Sequence, residues 1–452
     1  MTATEPDRPG QPGQPAQPAQ PARQPEPVVL RGLLKTPSYR RILLLCALVG
    51  IPVSLVCFWF LAGLHELQRL LWESLPHSLG WDGPPWWWPL PLLLVGGLLV
   101  GLVVARMPGA GGHVPAAGLA MGGASTKVLP GVVLAAAASL PFGAVLGPEA
   151  PLIALGGGFA LLLRDLARGP ATPQATALLG VAGAAAAIAA IFGSPLIAAV
   201  LLIEVVGVGG PQLVAVMLPA LLSSGVGALV FTGFGRWTGL QTGGLTVKLP
   251  GPVPRLDAAD VGWALLLAVV LAAVVREAVG AGQVVAAFVA KGPVVRTALC
   301  ALGAGVCAAV YALVTDRSPA DVASSGQALM ASLAGDPRAW GVGALVAVLL
   351  CKTVGYALCL GSMRGGPIFP ALFLGAAAGV LAAPLPGLGV VPAVAAGLAA
   401  AGASVLRLPV SSAVMAILLV GVPGMTPVVI LAAVAAMITT ELLPGPRRQL
   451  SG

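Results

Sequence analysis

Hydrophobic residues along this chain come in long unbroken runs, without sustained alternation between apolar and polar positions. Runs at about 42–71, 89–105, 174–191, 212–234, 258–280, 294–314, 339–360 and 426–442 reach the length that carries a helix across a bilayer core. Shorter runs lie between them, at about 128–146, 149–163, 195–206, 368–383, 391–404 and 409–420. Several of these have only 12 to 16 residues, too few to span alone, which predicts broken or re-entrant helices enclosed by protein. The runs are rich in Ala and Leu and lack the two-residue period of barrel strands, so the pattern predicts an all-α polytopic membrane protein. Residues 33–39 read as a short interfacial helix, and the cluster from Trp81 to Trp88 as an interfacial aromatic belt.

Composition removes the soluble alternatives. Of 452 residues 58% are hydrophobic and only 9% charged, against about 25% charged in soluble domains. The formal charge of +8 gathers beside the apolar runs, at Arg31, Lys35, Arg40 and Arg41, at Arg164 and Arg168, and at Arg447 and Arg448. The positive-inside rule places these ends, and so both termini, in the cytoplasm of a cell-membrane protein. Basic residues that flank membrane segments without forming a long cluster argue against nucleic acid as a partner. The six cysteines lie in apolar stretches without metal-ligand spacing and read as buried thiols, so no metal or cofactor is expected. Residues 1–30 form a Pro/Gln-rich tract that cannot bury a core; a disordered cytosolic tail without a cleaved signal segment is expected there.

The remainder divides into halves at 31–234 and 257–452, joined by the polar loop 235–256. Gly147-Pro148-Glu149-Ala150-Pro151-Leu-Ile-Ala-Leu155-Gly156 aligns without gaps to Gly366-Pro367-Ile368-Phe369-Pro370-Ala-Leu-Phe-Leu374-Gly375. Farther on, Pro195, Ala199 and Val200 match Pro409, Ala413 and Val414, and the offsets are 219 and 214 residues. Paired broken helices at corresponding positions of two halves mark a transport site near the membrane midplane.

Glu149 is the one charge between the runs that flank it. Pro is tolerated in a first helical turn, so its surroundings read as a helix start, where free N–H groups and the helix dipole attract anions. Glu149 is therefore an anion tethered at an anion site, which suggests a gate; the alternative is a capping carboxylate that holds the fold. Ionisable groups at this depth are costly and usually functional. Lys352 and the pair Arg276/Glu277 read as snorkelling or paired charges, Arg407 as a residue fixing loop carbonyls, and His113 as a hydrogen-bonded loop histidine.

Together these stretches resemble the CLC chloride channel and transporter family over nearly all of residues 35–442. The family's G-[K/R]-E-G-P motif appears as Gly147-Pro148-Glu149-Ala150-Pro151, its G-x-F-x-P motif as Gly366-Pro367-Ile368-Phe369-Pro370, and its G-S-G-I-P motif as Gly111-Gly112-His113-Val114-Pro115. A further S-x-R-x-P-like stretch matches Ser404 to Pro409. The resemblance implies a CLC-like inverted repeat of two halves and a homodimer with one pore per subunit. It implies an inorganic anion as substrate, chloride by default with fluoride or nitrate open, and protons as a further partner. It makes Glu149 the gating residue and places the anion against Gly111, Gly112, His113, Gly147, Ala150, Gly366, Ile368 and Phe369.

The departures bear on mechanism. Pro148 replaces a basic residue, Ala150 a glycine and Gly112 a serine, while Pro367 offers no N–H. Family exchangers relay protons through the second member of an acidic pair; here Glu204 holds the first position and Val205 the second, so Glu204 is a weak candidate for an inner proton route and more readily a structural carboxylate. No tyrosine follows Tyr356, so the family's C-terminal anion-coordinating tyrosine has no equivalent; its final helix is expected to be missing or reduced to the last few residues, and no regulatory domain is expected. The sequence therefore leans toward weakly coupled or uncoupled conduction, with proton-coupled exchange as the alternative. An intramembrane enzyme would need a nucleophile with its base at membrane depth, and a cation-coupled carrier would need clustered carboxylates; neither is provided.

Overall fold

A computed structural model describes residues 30–119, 124–168, 172–207, 210–240, 242, 247, 249 and 256–444. The N-terminal tract to residue 29, most of the inter-half loop, and the C-terminal stretch with Arg447 and Arg448 lie outside the described residues.

Helix α1 (Leu30–Lys35) stops at Thr36, and α2 (Pro37–Arg69) passes through a π-turn at Leu70–Ser74 into α3 (Leu75–Ser78). After α4 (Pro89–Arg106) come two 3-10 turns, Pro108–Gly111 and Pro115–Ala117. The first half continues through α5 (Leu129–Ser139), α6 (Glu149–Leu166), α7 (Pro173–Phe192), α8 (Pro195–Val206) and α9 (Gly210–Thr238). The second contains α10 (Ala258–Ala290), α11 (Pro293–Thr315), α12 (Gln327–Gly335) and α13 (Val342–Ser362). It ends with α14 (Ile368–Ala382), α15 (Val390–Leu406), α16 (Pro409–Val420) and α17 (Thr426–Leu442). Among the described residues eight helices are long and apolar enough to cross a membrane, five shorter apolar ones lie between them, and no strand occurs. The chain is an all-α, multi-pass membrane protein.

The repeat extends beyond the motifs that reveal it. Helices α6 and α7 pack together, as do α14 and α15. Gly156 faces Gly183 in the first pair and Gly375 faces Gly397 in the second, so closely that a Cβ on any of the four would overlap the opposing carbonyl. Gly375 lies 219 positions after Gly156 and Gly397 lies 214 after Gly183, the offsets of the two sequence matches. Small residues let membrane helices approach at backbone distance, where dispersion and not water expulsion supplies the attraction.

Several local expectations are corrected. The apolar run 128–146 does not form one helix: α5 ends at Ser139, because Pro141 has no N–H to continue the ladder. Gly143 then turns with φ +102 in a space closed by the Trp72 ring. The expected interfacial helix is shifted to α1 and broken before Pro37, with Thr36 extended as a residue preceding proline prefers. Tyr39 instead begins α2, where its hydroxyl donates to the Ala215 carbonyl at 2.9 Å. The tryptophans form more than a belt. Trp81, Trp87 and Trp88 pack edge to face at 5.4 to 5.7 Å. Trp88 donates to the Leu71 carbonyl, and the buried Trp72 donates to the Pro141 carbonyl at 2.9 Å.

The charged residues are also differently placed. Lys352 does not snorkel; it is 0% exposed, and its Nζ lies 2.8 to 3.3 Å from the carbonyls of Asp321, Val322, Ala323 and Ser324. The Phe373 ring lies beneath it, with Nζ 4.7 Å from the centroid. Arg407 ends α15 with φ +56 and pairs with Glu441 at 3.5 Å rather than with loop carbonyls. Arg276 is buried while Glu277 is exposed, and among the described residues the two form no ion pair.

The glycine seams generate a test. Gly397→Val should lower the melting temperature of the purified protein measurably, overpacking costing about 1–3 kcal/mol. Gly225→Ala, in α9 with nothing within 4 Å of its added Cβ, should leave it unchanged or slightly higher. Equal behaviour of the two variants would show that the seam is not tightly packed.

Candidate functional site

The two Gly-Pro motifs meet. Gly147 N–H donates to the Gly366 carbonyl at 2.8 Å, and Gly366 N–H returns the bond to Gly147 at 2.6 Å. This is an isolated antiparallel bridge between equivalent residues of the two halves. Reciprocal bonding of equivalent residues in antiparallel sense is local two-fold symmetry, so the seam lies on the axis relating the repeats. Immediately beyond it each chain turns into a helix, α6 at Glu149 and α14 at Ile368.

Glu149 is 0% exposed and crosses from its own helix start to the other one. Its Oε1 accepts a hydrogen bond from the Ile368 backbone N–H, while Oε2 has no hydrogen-bond partner among the described residues. The side chain fits because both motif glycines lack a Cβ: one on Gly147 would overlap Oε2 and one on Gly366 would overlap the carboxyl carbon. The missing N–H of Pro367 is no obstacle, because the first free amide of α14 belongs to the next residue. Phe369 is buried against Phe192, with ring centroids 5.4 Å apart. Tyr356 is fully buried and its hydroxyl donates to the Pro367 carbonyl at 2.6 Å. That carbonyl directly precedes the amide holding Glu149. Tyr356 is thus a site residue that sequence reasoning passed over, because its role needs the fold to bring α13 beside the seam.

Two cavities flank this point. The larger, of about 310 Å³, is lined by Gly109, Gly111, Gly112, His113, Ala150 and Arg364 among others. It lies toward the face on which α2 begins, since α4 ends there just before residues 107–113. The backbone at Gly109, Gly111 and Gly112 has φ between +71 and +98, conformations open to glycine. The smaller cavity, of about 70 Å³, is lined by His65, Gln68, Pro148, Ser324, Ser325 and Gln327 among others. It lies toward the face on which α2 ends. Pro148 lines one cavity and Ala150 the other, so Glu149 occupies the partition between them.

The structure therefore brings Gly147, Gly366, Ile368 and Glu149 into contact, with Phe369 in the same helix turn. It sets Gly111, Gly112, His113 and Ala150 around the larger cavity. His113 is exposed there. Glu204 is elsewhere: its carboxylate accepts from the N–H groups of Val410 and Ser411 at 3.0 and 2.7 Å and from the Ser411 hydroxyl at 2.6 Å. It caps the N-terminus of α16. Arg364, two residues before the second motif, is the other residue that sequence reasoning missed. It is 5% exposed, and its Nε donates to the Ala110 carbonyl at 3.1 Å. Among the described residues no group of three or more His, Cys, Asp or Glu is arranged to hold a metal ion.

Comparison with known proteins places this geometry. The ion-transport protein YfeO of Salmonella typhimurium is 34% identical over 176 residues, 36% of this chain and 40% of that protein. YfeO of Salmonella paratyphi A matches to the same extent. The match thus spans about two-fifths of the length of these curated relatives. Two solved structures share the fold at 18% identity. A slow cyanobacterial chloride/proton antiporter has a TM-score of 0.71, covering 90% of this chain and 95% of its own. A CLC-type fluoride/proton antiporter has a TM-score of 0.65, covering 88% and 95%. The family described as voltage gated chloride channel matches residues 96–441, a stretch that includes both motifs, the seam and the lining of the larger cavity; the chain belongs to this CLC family.

Proposed function

We propose that this protein carries inorganic anions across the cell membrane, chloride by default, through a pathway gated by Glu149. The observation that carries the proposal is the position of the carboxylate. It is fully buried, bound at the start of α14, and set between cavities that approach it from opposite faces. An ionised carboxylate there fills a place suited to a permeating anion, because helix starts present unpaired N–H groups and the positive end of the dipole. A second anion, or a proton neutralising Glu149, displaces it. The arginine-rich beginning of α2 faces the cytoplasm on this proposal, and the larger cavity is the inner one.

Conduction in the proposed pathway is weakly coupled or uncoupled to protons. Glu204 is committed to capping α16, and Val205 beside it is apolar and exposed, so neither offers a free carboxylate for an inner relay. Proton-coupled exchange is the second reading, favoured by the two fold neighbours being antiporters, one of them for fluoride. Transport rather than catalysis fits a site with one carboxylate and no nucleophile–base pair. The subunits are proposed to pair as a homodimer with separate pores, through the apolar surface that α8, α16 and α17 expose at Leu196, Ile203, Val410, Leu418 and Ile430.

Three outcomes follow. In liposome efflux assays, flux through the wild type should rise as pH falls, because protonation removes the competing charge. Glu149→Gln should then carry anion at an equal or faster rate with no pH response; a folded variant that keeps the wild-type pH response would return Glu149 to a purely structural role. Under a chloride gradient, the reversal potential should stay near the chloride Nernst value when an opposing pH gradient is imposed; a large shift with pH would establish exchange. Cross-linking in bilayers should yield a two-subunit species, which activity from strictly monomeric protein would contradict.

A further inference from the structure

A further cavity, of about 940 Å³, lies apart from the gate on the lateral surface of the second half. Its walls are α10 from Leu267 to Val285 and α13 from Leu349 to Leu358, and its floor is α14 at Leu374, Ala378 and Leu381. Both walls belong to helices long and apolar enough to cross a membrane, and the rim residues Val270, Leu350 and Val354 are exposed. The groove therefore opens toward hydrocarbon rather than water. Every lining residue is apolar except Thr353 and Glu277. Thr353 spends its hydroxyl on the Leu349 carbonyl at 2.6 Å. Glu277 is exposed, and among the described residues it has neither a hydrogen bond nor an ion pair. A carboxylate at membrane depth is costly and is ordinarily turned into the bundle or set against a cation. The nearer end of α10, Ala290, is about 20 Å away along the helix, beyond the reach of so short a side chain. The only cations on α10, α13 and α14 are Arg276 and Lys352. Both are buried; Lys352 is held by four carbonyls, and Arg276 makes no ion pair. The counter-charge has to arrive with a molecule that enters the groove.

We propose that this groove binds a lipophilic organic cation, an ammonium group on an apolar body, which enters from the bilayer and pairs with Glu277. Charge selects the occupant. A neutral lipid chain would cover the walls and leave the carboxylate unpaired, and an anionic amphiphile would be repelled by it. In a medium of low dielectric constant, attraction between opposite charges is far stronger than in water. Shape selects its size. The groove is closed at its Val285 end, where Gly361 meets the Gly282 carbonyl so closely that a Cβ on Gly361 would overlap it. A blind groove suits a compact molecule better than a helix that crosses the whole bilayer. Its volume also lies within the range of about 300–1,000 Å³ usual for small-molecule sites, which join apolar walls to one or a few polar groups that fix orientation. Here the apolar body lies along α13 and on Leu374 and Leu381 of α14, while the ammonium group turns to α10.

Binding can be read without any transport assay, so the test is independent of the proposed anion pathway. Purified protein in phosphatidylcholine liposomes is photolabelled with a pair of dodecyl probes that carry a diazirine in the chain. One probe ends in a permanently charged trimethylammonium group and the other in a hydroxyl, and labelled peptides are mapped by mass spectrometry. The ammonium probe should label α10 and α13 around Glu277 at about tenfold lower concentration than the alcohol. Glu277→Gln should remove that preference and leave labelling by the alcohol unchanged. Val354→Trp fills the groove from its exposed rim without altering Glu277, and should suppress labelling by both probes. Equal labelling by the two probes, or a preference that survives Glu277→Gln, would overturn the cation site and leave a groove covered by lipid chains. Labelling by the ammonium probe that persists in Val354→Trp would overturn it as well. Displacement of the ammonium probe by a transmembrane peptide with one central lysine, but not by unlabelled dodecyltrimethylammonium, would overturn it in favour of a helix-docking face.

Discussion

The constraint on which the rest of the structure depends is the reciprocal backbone pairing of Gly147 with Gly366. Inside a membrane, main-chain groups outside a helix cannot turn to water, so the loops that enter the protein must satisfy one another. Here each half uses the other as its partner. Once that exchange is made, both helix starts are fixed on either side of it, and the amide of Ile368 comes within reach of Glu149. The glycines serve two ends at once. They let the two backbones approach, and they leave the hollow in which a carboxylate can lie. A side chain at either position would destroy the site before it disturbed the fold elsewhere.

Much of the architecture was legible because helical membrane proteins obey coarse rules. Run length gave the spans, proline positions gave the starts of α8 and α16, and the repeated motif pointed to α6 and α14. What escaped was the outcome of contacts between distant segments. Nothing local distinguishes Val128–Leu146 from a spanning helix except Pro141 and Gly143, whose meaning depends on Trp72, about 70 positions earlier. Lys352 resembled any lysine snorkelling from an apolar helix; that the chain 321–324 turns four carbonyls toward it is a tertiary fact. Arg364 stood two residues from a recognised motif and was overlooked, since motif matching attends to the pattern and not to its flanks. Tyr356 was noted only as the last tyrosine, though its hydroxyl braces the turn before Ile368.

The mouth on the α2-end side is laced from several directions. Trp72 holds the Pro141 carbonyl, Ser324 N–H holds the Gly143 carbonyl at 2.9 Å, and Gln68 reaches the Ser324 hydroxyl at 3.3 Å. Lys352 gathers the carbonyls of the same loop from below. On the opposite side, the glycine-bearing turns are tied across the halves by Arg364 to the Ala110 carbonyl and by Gln283 to the Ala116 carbonyl.

A frame braced in this way leaves little room for helices to slide when the partition opens. What can move is a single side chain with three rotatable bonds, pivoting on a fixed backbone. Rotamer changes of that kind are fast, whereas collective rearrangements take microseconds or longer. Throughput in such a design is then governed by how long charge lingers at each resting place, not by machinery that must be reset. If the proposed pathway holds, the lacing of the mouth on the α2-end side makes the protein less like a rocking carrier and more like a turnstile mounted in a rigid doorway.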